Sequence, residues 1–153
     1  MGDVLPKFTA AAVQASPVFL DREATVEKAC DLIREAGRAG ARLAVFPEAY
    51  IPTFPYWPRA IPHPHRRLSI RAYVELYKNA VEIPGPATDA LCRAAREADA
   101  VVVMGINERE KNLGATMFNT LLYIDRTGEI LGRHRKLVPT YEERCIWGQG
   151  DAS

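Results

Sequence analysis

Residues 42–52, RLAVFPEAYIP, decide how the chain is to be read. RLAVF is a short apolar run of the length of a buried strand, and Pro47, which has no backbone N–H to give a ladder, ends it. Glu48 then falls just past the C-terminal end of that strand, where open α/β sheets hold their ligands. Upstream, FTAAAVQA (8–15) is a second apolar run, broken by Ser16 and Pro17, and it too predicts a buried strand. Between the two, Asp21 stands where an N-cap is wanted. Val26, Ala29, Cys30, Ile33 and Ala36 follow at helical spacing until the Gly37 to Gly40 region ends the pattern. A helix of that length supplies the crossover that parallel strands need, so the opening predicts a βαβ unit.

Working onward, residues 51–67 hold five of the eleven prolines together with Phe54, Tyr56 and Trp57. That composition predicts an irregular, aromatic-rich loop able to line a pocket. From Ser69 to about Val81, Ala72, Leu76, Tyr77 and Ala80 return to helical spacing. PGPATD (84–89) then punctuates, and Thr88 or Asp89 is placed to cap a further helix running to about Ala98. AVVVMGIN (100–107) and FNTLLYID (118–125) read as strands separated by the turn-like EREKNLGA, and DRTG (125–128) turns into EILGRHRK. The expected class is α/β, with strands and helices interleaved first and an antiparallel ribbon after. A length of 153 residues, 48% hydrophobic and 25% charged, fits one domain without repeats or linkers.

Lys and Arg (20) nearly balance Asp and Glu (19), so no net field favours nucleic acid or an anionic membrane as partner. The start, MGDVLPKFTA, lacks a long apolar core behind a basic head, and no segment approaches the ~20 apolar residues of a membrane helix. The expected location is cytoplasmic. Cys30, Cys92 and Cys145 form no CxxC pair, which predicts reduced thiols and gives no support to a metal cluster.

The ionisable residues beside loop signals are Glu48 and, in HRKLVPTYEERCIWGQGD (134–151), Lys136 and Glu143. A carboxylate just past a strand caps a following turn, pairs with an arginine or serves as a base, and apolar surroundings would raise its pKa toward a useful range. Lys136 belongs to a basic run that could simply be solvated. Leu137, Val138 and Pro139, however, carry the chain from strand to loop there, where a cation turned inward stabilises developing negative charge. Glu143 and Arg144 could form a structural ion pair, and Glu142 next door leaves the choice of carboxylate open.

FPEA after a strand, RKLVPT after a ribbon and then ERCIWGQGD resemble, in order and spacing, the nitrilase branch of the carbon-nitrogen hydrolase (nitrilase) superfamily. The resemblance runs from VQASPV to GQGD. It implies part of an α-β-β-α sandwich, with residues 1–153 as the N-terminal portion of one such domain, incomplete at its C-terminal side. It also implies a Glu, Lys, Cys site in which Glu48 is the general base, Lys136 the catalytic lysine and Glu143 the supporting glutamate. The nucleophilic cysteine of the family lies beyond GxGD, so Cys145 takes the place of an ordinary side chain, and Cys30 and Cys92 read as small core residues. The implied reaction converts a nitrile to a carboxylic acid and ammonia through a thioimidate and a thioester, with no cofactor and no metal. Tyr56 and Trp57 are the candidate substrate wall, and the complete protein is expected to be a homo-oligomer. Two alternatives stand beside this: an amidase or carbamoylase using the same residues, and a non-catalytic relative acting as an interaction protein. Unpaired strands and apolar faces in so short a piece predict association and poor solubility.

Overall fold

A computed structural model describes residues 6–110 and 112–151; the first five residues of the N-terminal stretch read above lie outside them. Strand β1 (Ala10–Ala12) leads into helix α1 (Arg22–Arg38) and strand β2 (Leu43–Val45). Asp21 caps α1, its side chain accepting from the Ala24 N–H at 2.9 Å. β1 and β2 run parallel, as the βαβ reading requires, although β1 is much shorter than the apolar run that predicted it. Helix α2 (Trp57–Ala60) and a 3-10 turn (His63–His65) lie inside the stretch expected to be an irregular loop. Helix α3 (Arg66–Lys78) begins three residues earlier than the sequence pattern predicted and buries Leu76.

Helix α4 (Pro86–Ala98) corrects the capping prediction. Gly85 is the N-cap, and Thr88 sits one turn in, its hydroxyl accepting from the Gly85 N–H at 2.9 Å. The helix starts earlier because Pro86 at its first position has no N–H to leave unpaired. Strand β3 (Val101–Arg109) extends two residues into the segment read as a turn, and β4 (Met117–Ile124) and β5 (Ile130–Arg135) complete the sheet. Glu108 and Arg109 stay in the ladder because Glu108 meets cations across the sheet: its carboxylate takes hydrogen bonds from Arg133 and Arg135, both at 2.5 Å.

The sheet order is β1-β2-β3-β4-β5, parallel between β1, β2 and β3 and antiparallel from β3 to β5. α1 and α4 pack on one face of the sheet, where Ile33 and Leu91 meet Val102, Met104, Leu122 and Ile124 to form the main core. Alternation along the strands sends Val45, Val103, Leu121 and Tyr123 to the opposite face, where none of the four is buried. A second cluster, built from Ala49, Trp57, Leu76, Ala80, Met117, Ile146 and Trp147, joins the loop after Glu48 to α3 and the final segment. The observed class is α/β, with one sheet and one helical layer of the expected sandwich among the described residues.

Candidate active site

Glu48 is presented by a loop pushed out of a strand path. Phe46 N–H donates to Val103 at 2.9 Å and Ile51 N–H to Gly105 at 3.1 Å, so the chain leaves β3 after Phe46 and rejoins it at Ile51. The residues between, Pro47 to Tyr50, arch over Gly105. A Cβ at Gly105 would lie 2.1 Å from the Pro47 carbonyl oxygen and 2.7 Å from the Ala49 nitrogen, so this crossing needs glycine beneath it. Ala49 turns the chain back with φ of 49°, a left-handed conformation unusual for a residue bearing a Cβ. Asn107, fully buried, fixes the return: its amide donates to the Ile51 and Thr53 carbonyls at 3.1 and 2.9 Å, and its oxygen accepts from Trp147 Nε1 at 2.9 Å.

Lys136 immediately follows β5. Its N–H donates to the Asn119 carbonyl at 2.8 Å, and its own carbonyl accepts from Gly150 N–H at 3.0 Å. The GQGD segment therefore lies against Lys136, and a side chain at Gly150 would meet the Arg135 carbonyl at 2.5 Å. Glu143 sits in the 3-10 turn Tyr141–Cys145, where one carboxylate oxygen accepts from the Thr140 N–H at 2.6 Å.

These three segments bring Glu48, Lys136 and Glu143 together. Lys136 Nζ donates to Glu48 Oε1 at 3.0 Å and to Glu143 Oε1 at 3.1 Å, with Glu143 Oε2 at 2.9 Å. The ambiguity between neighbouring carboxylates resolves geometrically: Glu142 turns away to Arg59 at 3.3 Å, and Glu143 alone of the two meets the lysine. Arg144 does not pair with Glu143; its Nε donates to the Pro139 carbonyl at 3.0 Å.

Partial burial works against the Lys136 ammonium, but the bonds to Glu143 and Glu48 outweigh it and hold its pKa above the ordinary lysine value. Burial likewise pushes Glu143 up, and the Thr140 N–H and Lys136 more than reverse this, leaving its carboxyl below the usual range. Glu48 is not in the apolar setting expected from the sequence. Its side chain is 49% exposed and carries polar partners, Lys136 and the Asn119 amide at 2.6 Å. Both bonds end on Oε1, so Oε2 has no hydrogen-bond partner among the described residues.

Asn119 and Asn107 are the contributors that the sequence reading passed over. The available signal was an amide inside each of two apolar strand runs, since a buried Asn must find several partners. Tyr56, largely exposed, lines a cleft of about 290 Å³ together with Phe54, Arg59, Thr140 and Glu143. Trp57 does not share it: it is buried in the second cluster and lines a different cleft with Cys145. Cys30 lies buried on α1 and Cys92 is partly buried on α4.

A family model described as carbon-nitrogen hydrolase matches residues 9–153, and the chain belongs to that family. It is 50% identical to Nitrilase 2 of an unknown prokaryotic organism over 146 residues, covering 95% of this chain and 45% of the relative. It is 43% identical to the Nitrilase of Bacillus sp. (strain OxB-1) over 148 residues, covering 97% of this chain and 42% of that one. The chain thus spans less than half the length of these curated relatives. In fold it resembles a mutant of the amidase from Nesterenkonia sp. AN1 solved after Michael addition of acrylamide at the active site cysteine. That likeness has a TM-score of 0.66 at 18% identity and covers 95% of this chain and 50% of that chain.

Proposed function

We propose that residues 1–153 form the N-terminal portion of one catalytic domain of a nitrilase that hydrolyses a nitrile to a carboxylic acid and ammonia. The observation that carries this reading is the single ammonium of Lys136 bridging Glu48 and Glu143 from three separate segments, with Glu48 Oε2 left open. The relatives' names, nitrilase, supply the substrate class.

In the proposed sequence a cysteine thiol gives its proton to Glu48 Oε2 and the thiolate attacks the nitrile carbon. The nitrile nitrogen then takes that proton, giving a thioimidate. Glu48 next takes a proton from a water that adds to the same carbon. The proton held by Glu48 and that of the new hydroxyl pass to the nitrogen, the tetrahedral species expels ammonia to leave a thioester, and a second water releases the acid and restores the thiol. A free thiol is mostly protonated near neutral pH, its reference pKa being about 8.5, so a base beside it is required. Lys136 holds Glu48 in place through its hydrogen bond to Oε1, and its charge stabilises the tetrahedral states by roughly 3 kcal/mol, the worth of one well-placed donor. Glu143 in turn orients Lys136. We assign the thiol to a segment other than this chain's cysteines: Cys30 and Cys92 sit on α1 and α4, and Cys145 lines a cleft that Glu48, Lys136 and Glu143 do not. Tyr56 is our candidate for the substrate wall. The enzyme is read as cytoplasmic, working without cofactor or metal and associating as a homo-oligomer.

A second reading, an amidase acting on a C–N single bond with the same residues, is favoured by the solved amidases of like fold. The deciding measurement is ammonia release from aliphatic, aromatic and arylacetic nitriles, with the matching amides alongside. It uses residues 1–153 and a protein extended to the length of its relatives. Turnover of nitriles by the longer protein, reduced about 10²- to 10⁴-fold by Glu48→Gln or Lys136→Ala, is the expected result. Turnover of amides alone moves the reaction to the second reading. Activity of residues 1–153 by themselves assigns the nucleophile to Cys145, and no turnover of either class leaves an interaction protein.

A further inference from the structure

Behind the row of groups that carries the site lies a second, buried row. Asn107 and Asn119 stand opposite each other across β3 and β4, and the Lys136 N–H bonds the Asn119 carbonyl, so the three follow one line across the sheet. Alternation turns their sequence neighbours Glu108, Thr120 and Arg135 to the face that Met104, Ile106 and Leu122 give to the main core. There the three meet. Glu108 is 1% exposed and Arg135 4%. The Arg135 guanidinium forks onto Glu108, Nε donating to Oε2 at 3.0 Å and Nη2 to Oε1 at 2.5 Å, and the Thr120 hydroxyl donates to Oε2 at 2.7 Å. The same guanidinium lies 4.0 Å over the ring of Phe118, which flanks Asn119 on its other side. Its Nη2 also reaches Glu110 at 2.6 Å, and its Nη1 lies 3.5 Å from Asp151. Arg133 gives Glu108 one more bond, at 2.5 Å, but its own neighbours, Gly132 and His134, are not site residues.

We propose that Glu108 and Arg135 are positioning residues for Lys136 and Asn119, acting through the backbone from the reverse face of the sheet. The role in turnover rests on the nitrilase reading above; the geometry of the buried pair does not. Taking two charges out of water can cost as much as their attraction returns, and apolar side chains of the same size often give equal stability. What the pair adds is direction. A planar fork fixes the rotation of Arg135 about β5 as well as its distance from β3. One residue further on, the Lys136 ammonium must reach Glu48 at 3.0 Å and Glu143 at 3.1 Å from a single backbone position. A strand end free to twist would lose one of those bonds, since N–H···O bonds are confined to about 2.7–3.2 Å.

Two variants of a protein extended to the length of its relatives test this. Glu108→Leu combined with Arg135→Met replaces the pair by apolar side chains at unchanged net charge, and Arg135→Lys keeps the charge without the fork. The first readout needs no turnover: acetylation of Lys136 by acetic anhydride, placed by peptide fragmentation, with the exposed Lys78 as internal reference. Glu143 and Glu48 hold the Lys136 ammonium protonated, so loosening the bridge should speed its acetylation about tenfold relative to Lys78 in both variants. The second readout is kinetic. For nitriles, kcat per folded molecule should fall about tenfold or more with KM little changed. Arg133→Gln, which removes one bond to the same carboxylate but flanks no site residue, should leave Lys136 acetylation at the wild-type rate. If the apolar pair fails to fold, Arg135→Lys decides. Lys136 acetylation at the wild-type rate in folded Arg135→Lys would overturn the proposal, as would Arg133→Gln speeding it as much as the other two. A wild-type protein that turns over no nitrile removes the nitrilase reading, and the acetylation rates still decide whether the pair positions Lys136.

Discussion

Asn119 donates to Glu48 at 2.6 Å from the strand beside Lys136, and a neutral amide bonded to a carboxylate is worth more than an ordinary hydrogen bond. Asn119→Ala should leave the lysine bridge in place while freeing Glu48 to rotate. On the nitrilase reading proposed above, kcat for nitrile hydrolysis by a protein extended to the length of its relatives should fall by about tenfold or more with KM little changed, read by steady-state ammonia release. The Lys136 and Glu143 pair makes a second, pH-dependent statement. Glu143 has its carboxyl lowered in the folded chain, so its contribution is fully present above its unfolded pKa of about 4.3 and fades as pH falls through the lower folded value. Lys136 is raised, so its contribution is present below about pH 10.4 and fades as pH rises through the higher folded value. The stability difference between the wild-type chain and Glu143→Gln, on the order of 1 kcal/mol, should be flat from about pH 5 to 10 and shrink on acidification below that. Urea denaturation across pH measures it, and a difference that grows on acidification would contradict the assignment.

At the level of elements, the arch over Gly105 and the anchor at Asn107 decide where Glu48 stands. Gly105→Ala places a methyl against backbone atoms of Pro47 and Ala49, which cannot rotate aside as a side chain can. A loss of roughly 1–3 kcal/mol is expected, and on the proposed reading activity falls further than stability because the displaced segment carries Glu48. Asn107→Ala removes the buried partner of the Ile51 and Thr53 carbonyls and of the Trp147 indole. Each polar group left unpaired costs about 1–3 kcal/mol, so a total of roughly 3 kcal/mol or more should appear as a lowered denaturation midpoint. The periodicity of α1 and the capping role of Asp21 were legible because both depend on residues within one or two turns of each other. The end of β3 was misplaced for the opposite reason, since Glu108 is kept in its strand by arginines from β5. The cap of α4 is as local as that of α1: Thr88 does take part in it, but from inside the helix, bonding back to Gly85.

Across the whole molecule, the helical face of the sheet is sealed and the opposite face is not. Val45 is 37% exposed there, and Val103, Leu121 and Tyr123 remain partly accessible. A contiguous apolar sheet face in water favours association. Residues 1–153 expressed alone should therefore show a mass in light scattering that rises with concentration, and Val45→Lys combined with Leu121→Lys should reduce it. A monodisperse monomer at all concentrations would count against the exposed face as an adhesive surface.

The α/β class, the βαβ opening and the position of Glu48 just beyond a strand were determined by the sequence itself. Apolar periodicity and the prolines that interrupt it act over a few residues, and local rules suffice to read them. Only the tertiary structure chose Glu143 over Glu142, separated Trp57 from Tyr56, recruited Asn119 and set the half-exposed, polar surroundings of Glu48. Each of those depends on groups brought together from distant segments, Glu48 and Lys136 being 88 residues apart. Which oxygen meets which nitrogen at 3 Å is fixed by packing and backbone hydrogen bonds that no local pattern encodes.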